Sequence, residues 1–373
     1  MGQDRLRVAV VGAGKWARDA HIPGWQRDPR VDVVALADVD ATAVAEAGEE
    51  HGVERRVTDY RDLLGDPDID VIDVATGNRA HFEISVAALE AGKHVLCEKP
   101  VHHDYRETRR AADLAAAKGL KSKLGFTFRY APAVQYAKEL IDSGFVGTPY
   151  IFNGYEQNSQ WIDPATPLRQ VDPDADPATL QVSSIEGYGA PIIDIMHWWL
   201  DSPMTSVVGT MRNFVPERMV RDTGLMSRMN IDDGDMWIAE FGSGALGSIQ
   251  SSYVTVGNYP GVEARIFGSE GAVIVRLVDE AGICQTIKTA TKDSVEFVER
   301  EIPQRFFPEN GHSREPWPFL FYSNLCRNFA TEILSGQEAN QGDFRQGALV
   351  QETVNAFERS YRDRRWVGFP LEV

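Results

Sequence analysis

Short apolar runs alternate with amphipathic stretches over roughly the first 126 residues. Runs at 7–11, 31–37, 70–75, 94–97 and 123–126 have the length and Val/Ile/Leu content of buried strands. Between them, 41–51, 81–91 and 105–118 place apolar residues at helical spacing, and Gly52, Gly92 and Gly119 follow where helix C-caps belong. Alternation of strand and helix predicts a doubly wound parallel sheet with right-handed crossovers.

The pattern changes after a predicted helix at 132–143. Strands are predicted at 148–155, 206–211, 236–241, 246–253, 262–267 and 272–277, with the turns Gly242-Ser243-Gly244 and Ser269-Glu270-Gly271 between neighbours. Short glycine turns of this kind predict hairpins and a mostly antiparallel sheet. One helix at 192–200 interrupts the strands, and helices at 319–334 and 344–362 close the chain. The fold class is therefore α/β: a parallel-sheet domain over 1–127, then an α+β domain over 128–373 with a large open sheet. The polar stretch 157–186, rich in Asp, Pro and Ser, is too long for a passive connection and predicts a loop near a site.

Composition narrows the function. A chain of 373 residues has room for two cores. A net charge of −17 speaks against a nucleic-acid surface, which needs concentrated Lys and Arg. No apolar run reaches bilayer length, and Met1-Gly2-Gln3-Asp4-Arg5 lacks the apolar core of a signal peptide. Cys97, Cys284 and Cys326 are far apart and form no metal-ligand spacing, which suits a reducing cytoplasm.

Candidate chemistry gathers at the carboxyl ends of the first strands, where ligands bind in doubly wound sheets. Gly12-Ala13-Gly14-Lys15-Trp16-Ala17 follows the first strand and opens a helix. The two glycines permit a tight turn and close approach to a pyrophosphate, and Ala17 is small enough for helix–strand packing. Asp38 ends the second strand, spaced to bind a ribose 2′-hydroxyl. No arginine in Ala37-Asp38-Val39-Asp40 awaits a 2′-phosphate, so NAD is expected over NADP. Thr76-Gly77-Asn78 and His81 follow the third predicted strand, and Glu98-Lys99-Pro100 follows the fourth. Gly12, Gly14, Lys15, Trp16, Asp38, Thr76, Asn78, His81, Glu98 and Lys99 are the candidate cofactor contacts. Lys99 is the candidate proton carrier or electrostatic clamp.

These motifs, with the run from Ala91 to Pro100, Gly125-Phe126-Thr127-Phe128-Arg129-Tyr130 and the closing Gly342-Asp343-Phe344-Arg345, resemble the Gfo/Idh/MocA oxidoreductases over nearly the whole chain. The resemblance implies a Rossmann domain, hydride transfer with a sugar, polyol or related hydroxyl or carbonyl compound, and a homodimer or homotetramer built on the open sheet. Lys99, Arg129, Tyr130, Trp161 and Asp194 are the candidate substrate contacts, with Trp161 placed to stack on a sugar face.

One departure stands out. The family pattern Asp-x-Gly-x-His-x-x-Asp aligns with Gly187-Tyr188-Gly189-Ala190-Pro191-Ile192-Ile193-Asp194, so its first Asp is Gly187 and its His is Pro191. Lys99 and Asp194 remain as catalytic candidates, with Tyr188 as a replacement polar group. A slid register pairs Asp194 with His197 instead, at a spacing of three where the family has four. The departure keeps two other readings open: an NAD-dependent binding or regulatory protein without catalysis, and a glycoside-cleaving enzyme using transient NAD redox.

Overall fold

The computed structural model describes residues 5–168, 179–257, 261–337 and 342–372. Part of the polar stretch 157–186, residues 169–178, lies outside these. In chain order, β1 (Leu6–Val11) leads through a π-helical turn (Ala17–His21) into α1 (Ile22–Gln26). There follow β2 (Val31–Ala37), α2 (Ala41–His51), β3 (Arg55–Val57), α3 (Arg61–Leu64), β4 (Val71–Val74), α4 (Asn78–Glu90), β5 (His94–Cys97), α5 (Tyr105–Ala117) and β6 (Ser122–Leu124). A 3₁₀ turn (Thr127–Tyr130) precedes α6 (Pro132–Asp142), β7 (Pro149–Gln157), a second π-helical turn (Ile185–Gly189) and α7 (Ala190–Leu200). The remaining elements are β8 (Met204–Arg212), β9 (Glu217–Met219), β10 (Met226–Arg228), β11 (Gly234–Phe241), β12 (Leu246–Ser252), β13 (Val262–Gly268), β14 (Gly271–Leu277), β15 (Thr286–Thr291), β16 (Ser294–Glu299), α8 (Trp317–Ser335), α9 (Phe344–Asp363) and β17 (Val367–Gly368).

The chain folds as two compact units, 1–132 with 304–351, and 133–303 with 352–373. In the first, six parallel strands run in the order β3-β2-β1-β4-β5-β6. The predicted caps hold: Gly52, Gly92 and Gly119 all have positive φ. The sequence pattern places both closing helices in the second domain, but α8 belongs to the first unit. Its Tyr322, Leu325, Cys326, Phe329 and Ala330 share one core with Trp25, Leu36, Val71 and Leu96. The run that opens α8 is apolar on too many sides to lie on a surface, and burying each large side chain contributes roughly 1.5–3 kcal/mol. The helix α9 passes from the first unit into the second.

The second unit holds a nine-stranded sheet, β16-β15-β14-β13-β7-β12-β11-β8-β17, antiparallel except where β12 runs parallel to β7. The two glycine turns join antiparallel pairs as predicted, β11 with β12 and β13 with β14. Strands β15 and β16 and the ribbon of β9 with β10 were not anticipated; short, polar or Arg-rich runs carry little strand signal. α7 lies against the sheet's inner face. A Cβ on Gly154 of β7 would sit 2.1 Å from Ile192 Cγ2, so only glycine lets the helix approach there. On β11 the alternation is plain: Trp237, Ala239 and Phe241 are buried while Met236 and Ile238 are exposed.

Candidate active site

In the first unit the strand order reverses between β1 and β4, and the crevice at their carboxyl ends is where such sheets bind ligands. The backbone there meets the demands of a dinucleotide. Gly12 has φ +108°, and a Cβ on it would lie 2.5 Å from the Ala75 carbonyl oxygen, so glycine lets the β1 loop lie against the end of β4. Gly12 N–H donates to Ala37 O (2.7 Å), while Gly14 faces open space and is exposed. The half-buried Asp38 carboxylate accepts the Ala13 N–H (2.7 Å) and the Asp40 N–H (2.9 Å), which fixes it at the end of β2 beside the glycine loop. Lys15 is exposed and pairs with Asp19.

Glu98, at the end of β5, ties the loop to the strand that carries Lys99. Trp16 Nε1–H donates to Glu98 Oε1 (3.0 Å), the Tyr322 hydroxyl donates to the same oxygen, and the Lys99 N–H donates to Oε2 (3.2 Å). Behind it lies His21, fully buried, with Nδ1 2.9 Å from both Asp73 oxygens and Nε2 3.4 Å from Glu98 Oε1. Trp25 Nε1–H also donates to Asp73 (2.8 Å). Burial opposes the charge on His21, but Asp73 and Glu98 outweigh it and raise the imidazole pKa to about 9. Burial likewise opposes ionisation of Glu98, and His21, Lys99 and Tyr322 overcome it, drawing the carboxyl down to about 2.

The other candidates of this unit divide. Lys99 is half-buried, followed by a cis peptide to Pro100, and Thr76 is half-buried at the end of β4. Asn78 is exposed in the first turn of α4. His81 is a correction to its reading as a cofactor contact: it is buried, with Nδ1 2.7 Å from Pro100 O and Nε2 3.1 Å from Thr76 O. Its ring braces the β4 and β5 ends, and burial lowers its basicity. Arg129 and Tyr130, read as substrate contacts, are each only 1% exposed. Tyr130 lies in the core with Tyr322 and Leu325, since the 3₁₀ turn points it inward.

In the second unit the helical run begins earlier than predicted. The π turn at Ile185–Gly189 feeds straight into α7, so Pro191, near the start of α7, lies inside one continuous helical run rather than at its beginning. The Asp232 carboxylate caps this run, accepting N–H bonds from Ser183, Ser184 (3.0 Å) and Ile185 (3.3 Å). Burial pushes the Asp232 carboxyl up to about 7. Burial and the neighbouring Asp232 also hold the carboxyl of Asp235, bonded by the Ser251 hydroxyl, above the usual carboxylate range. Asp194 is fully buried on α7. His197 is a further correction to its reading as a catalytic residue. Its Nε2 lies 3.0 Å from Thr353 Oγ1 and its ring packs 6.0 Å from Phe241, inside the core of this unit. That placement favours the unslid register, with Pro191 in the histidine position.

Trp161 and Tyr188, far apart in sequence, are brought together. Their ring centroids are 6.0 Å apart, and both pack on Tyr253 at 5.6 and 5.4 Å. Tyr188 donates its hydroxyl to the Gln160 side chain, and Arg218 Nη1 holds the Trp161 carbonyl at 2.8 Å.

Sequence reasoning missed His21, Asp73 and Tyr322 around Glu98, and Asp232 and Asp235 beneath the π turn. Asp73 carried a signal, a carboxylate inside the apolar run Val71-Ile72-Asp73-Val74, which needs a buried partner. Tyr322 carried none, because 224 positions separate it from Glu98. Among the described residues no group of three or more His, Cys, Asp or Glu is arranged to hold a metal ion, and no helix is long and apolar enough to cross a membrane.

Comparison with known proteins agrees with this geometry. Residues 6–126 match the oxidoreductase family with an NAD-binding Rossmann fold, GFO/IDH/MocA, and 134–274 match the GFO/IDH/MocA C-terminal domain. Levoglucosan dehydrogenase of Pseudarthrobacter phenanthrenivorans is 30% identical over 257 residues, 64% of this chain and 63% of that protein, so the match spans less than two thirds of that relative's length. The scyllo-inositol 2-dehydrogenase (NAD(+)) of Bacillus subtilis is 25% identical over 94% of this chain and 97% of its own. An oxidoreductase domain protein from Kribbella flavida superposes with a TM-score of 0.88 at 26% identity, covering 99% of this chain and 100% of its own. With a glycine loop, an Asp at the end of β2 and a Glu-Lys-Pro strand end on one sheet edge, and both family domains matched in order, the chain belongs to the Gfo/Idh/MocA oxidoreductase family.

Proposed function

We propose that the protein is an NAD-dependent oxidoreductase acting on a hydroxyl or carbonyl carbon of a sugar, polyol or related carbohydrate-like compound. The observation that carries this reading is the convergence of Gly12, Asp38 and the Glu98-Lys99 strand end at the carboxyl edge of one parallel sheet. The nicotinamide supplies hydride acceptance or donation when the cofactor is bound. The chain's own residues do the rest. The glycine loop and the Lys15 and Trp16 positions take the pyrophosphate side, Asp38 takes the ribose hydroxyls, and Thr76 and Asn78 flank the inner ribose. Lys99 moves the proton of the substrate hydroxyl or clamps the developing alkoxide. Asp194, Tyr188 and Trp161 are the substrate-side groups of the second unit, with the Trp161–Tyr188 pair offering an aromatic face to a sugar ring.

The exposed Met236, Ile238, Leu246 and Ile151 on the open sheet support a homodimer or homotetramer through that face. Three buried free cysteines support a cytoplasmic setting. The test is NAD(P)H formation by the purified protein with a panel of inositols, aldoses, anhydrosugars and aryl glycosides. Substrate-dependent NADH formation supports the reading. NADH binding without any turnover favours a binding or regulatory protein, a reading motivated by Pro191 in place of the family histidine. Aglycone release without net NADH favours the glycoside-cleaving alternative.

A further inference from the structure

Four elements of the first unit converge on one buried imidazole. His21 comes from the π turn after β1, Asp73 from β4, Glu98 from the end of β5 and Tyr322 from α8. Asp73 lies on the Nδ1 side of the ring and Glu98 on the Nε2 side, with the Tyr322 ring packed against it at 4.2 Å between centroids and tilted by 40°. His21 is fully buried, so neither carboxylate can exchange it for water. Glu98 in turn holds two groups of the proposed site from opposite sides: the Trp16 indole on the glycine loop and the Lys99 amide on the β5 end. A Cβ on Gly125 would meet Glu98 Oε1 at 2.5 Å, so the backbone just past β6 also confines this carboxylate.

We propose that His21 is a positioning residue that acts through Glu98, locking the glycine loop and the Lys99 strand end into one arrangement. Withdrawing its cation leaves Asp73 and Glu98 as two buried carboxylates with no charge between them. Glu98 then relaxes or takes up a proton, and its hold on the Trp16 indole and the Lys99 amide loosens together. The Trp25 indole and the neighbouring Cys97 and Cys326 thiols stay neutral and do not replace the cation. The inference rests on the proposed role of Lys99, but its structural half concerns the protein without cofactor.

The test is a double-mutant cycle of His21→Gln and Glu98→Gln, with two readouts. In the protein alone, the ¹⁵N–¹H resonance of the Trp16 indole, assigned with Trp16→Phe, reports its bond to Glu98. It should shift in His21→Gln in the same direction as in Glu98→Gln. In turnover, each single variant should lose about tenfold or more, as a misplaced reacting group does. The double variant should lose no more than the worse single variant, the signature of residues acting as one unit. An unmoved indole resonance in His21→Gln, or losses that multiply, overturns the proposal. Should His21→Gln fail to fold, Asp73→Asn removes the other anion holding His21, and an indole resonance unmoved in that variant overturns it equally. Lys99→Met separates the two claims: full turnover there defeats the proposed role of Lys99, while the indole readout still decides the role of His21.

Discussion

The carboxyl edge of the first unit and the entry to α7 in the second have been built by opposite means. At the first, each functional position is dictated locally. Gly12 is needed where β1 passes the end of β4, Asp38 ends β2, and Glu98 and Lys99 end β5. At the second, the local family pattern is broken at Gly187 and Pro191, and the helical run is held by a carboxylate from elsewhere in the chain, Asp232. The contrast teaches where this protein keeps its chemistry. In the proposed reading, cofactor selection and proton handling by Lys99 stay on strand ends of a conventional sheet edge, while α7 carries a proline and is held by a buried acid.

The largest effect that would break the comparison is at Lys99. Lys99→Met keeps much of the stem and removes the charge; turnover should fall roughly a hundredfold or more, the scale of a positioned acid–base group. NADH affinity measured by fluorescence titration should stay near wild type, and near-normal turnover would make the lysine structural.

Next in size is the pH dependence of stability. The folded-state pKa of His21, about 9, lies above its ordinary 6.5, so its contribution is full below about 6.5 and is lost as pH rises through 9. A shift of that size corresponds to about 3 kcal/mol. Denaturation midpoints should therefore fall between pH 6.5 and 9 in wild type and fall less in His21→Gln. The acid pair of the second unit acts in a lower window. Because burial raises Asp232 to about 7 from 3.8, its contribution is full below 3.8 and lost as pH rises through 7. Asp232→Asn should flatten that segment of the curve.

Cofactor choice is a smaller effect. Asp38→Ser should narrow the preference for NAD over NADP by about 1–3 kcal/mol, by relieving the repulsion between a 2′-phosphate and a partly buried carboxylate. The ratio of the two dissociation constants measures it, and tighter NADP binding by the wild type would contradict the reading. The smallest effect belongs to His197. Losing its bond to Thr353 in His197→Asn should cost about 1 kcal/mol in a denaturant titration.

The same contrast explains what could be read from the chain. Much of the parallel unit is legible in the sequence: strands expected at 31–37 and 94–97 and a helix at 41–51 match β2, β5 and α2, while the short β3 and α3 have no counterpart among the expected elements. Buried parallel strands are continuous apolar runs, and their helices end on glycine. Placement of α8 was not legible, because an apolar helix near the end of a chain does not announce which core it joins. Glu98 was visible as part of a motif, but its partners His21, Asp73 and Tyr322 come from three other elements, and single-sequence spacing carries no sign of such pairings. His81 and His197 were misleading for one reason: a histidine near a motif looks functional, yet these bond backbone carbonyls and a buried threonine.

The central claim is that proton handling in this protein does without a histidine on α7. It is tested most directly by the pH dependence of turnover in wild type and His197→Asn, measured side by side. The two profiles should superimpose, because His197 faces Thr353 and Phe241 in the core. A wild-type limb with a midpoint near the ordinary histidine value of about 6.5 that disappears in His197→Asn would contradict the account.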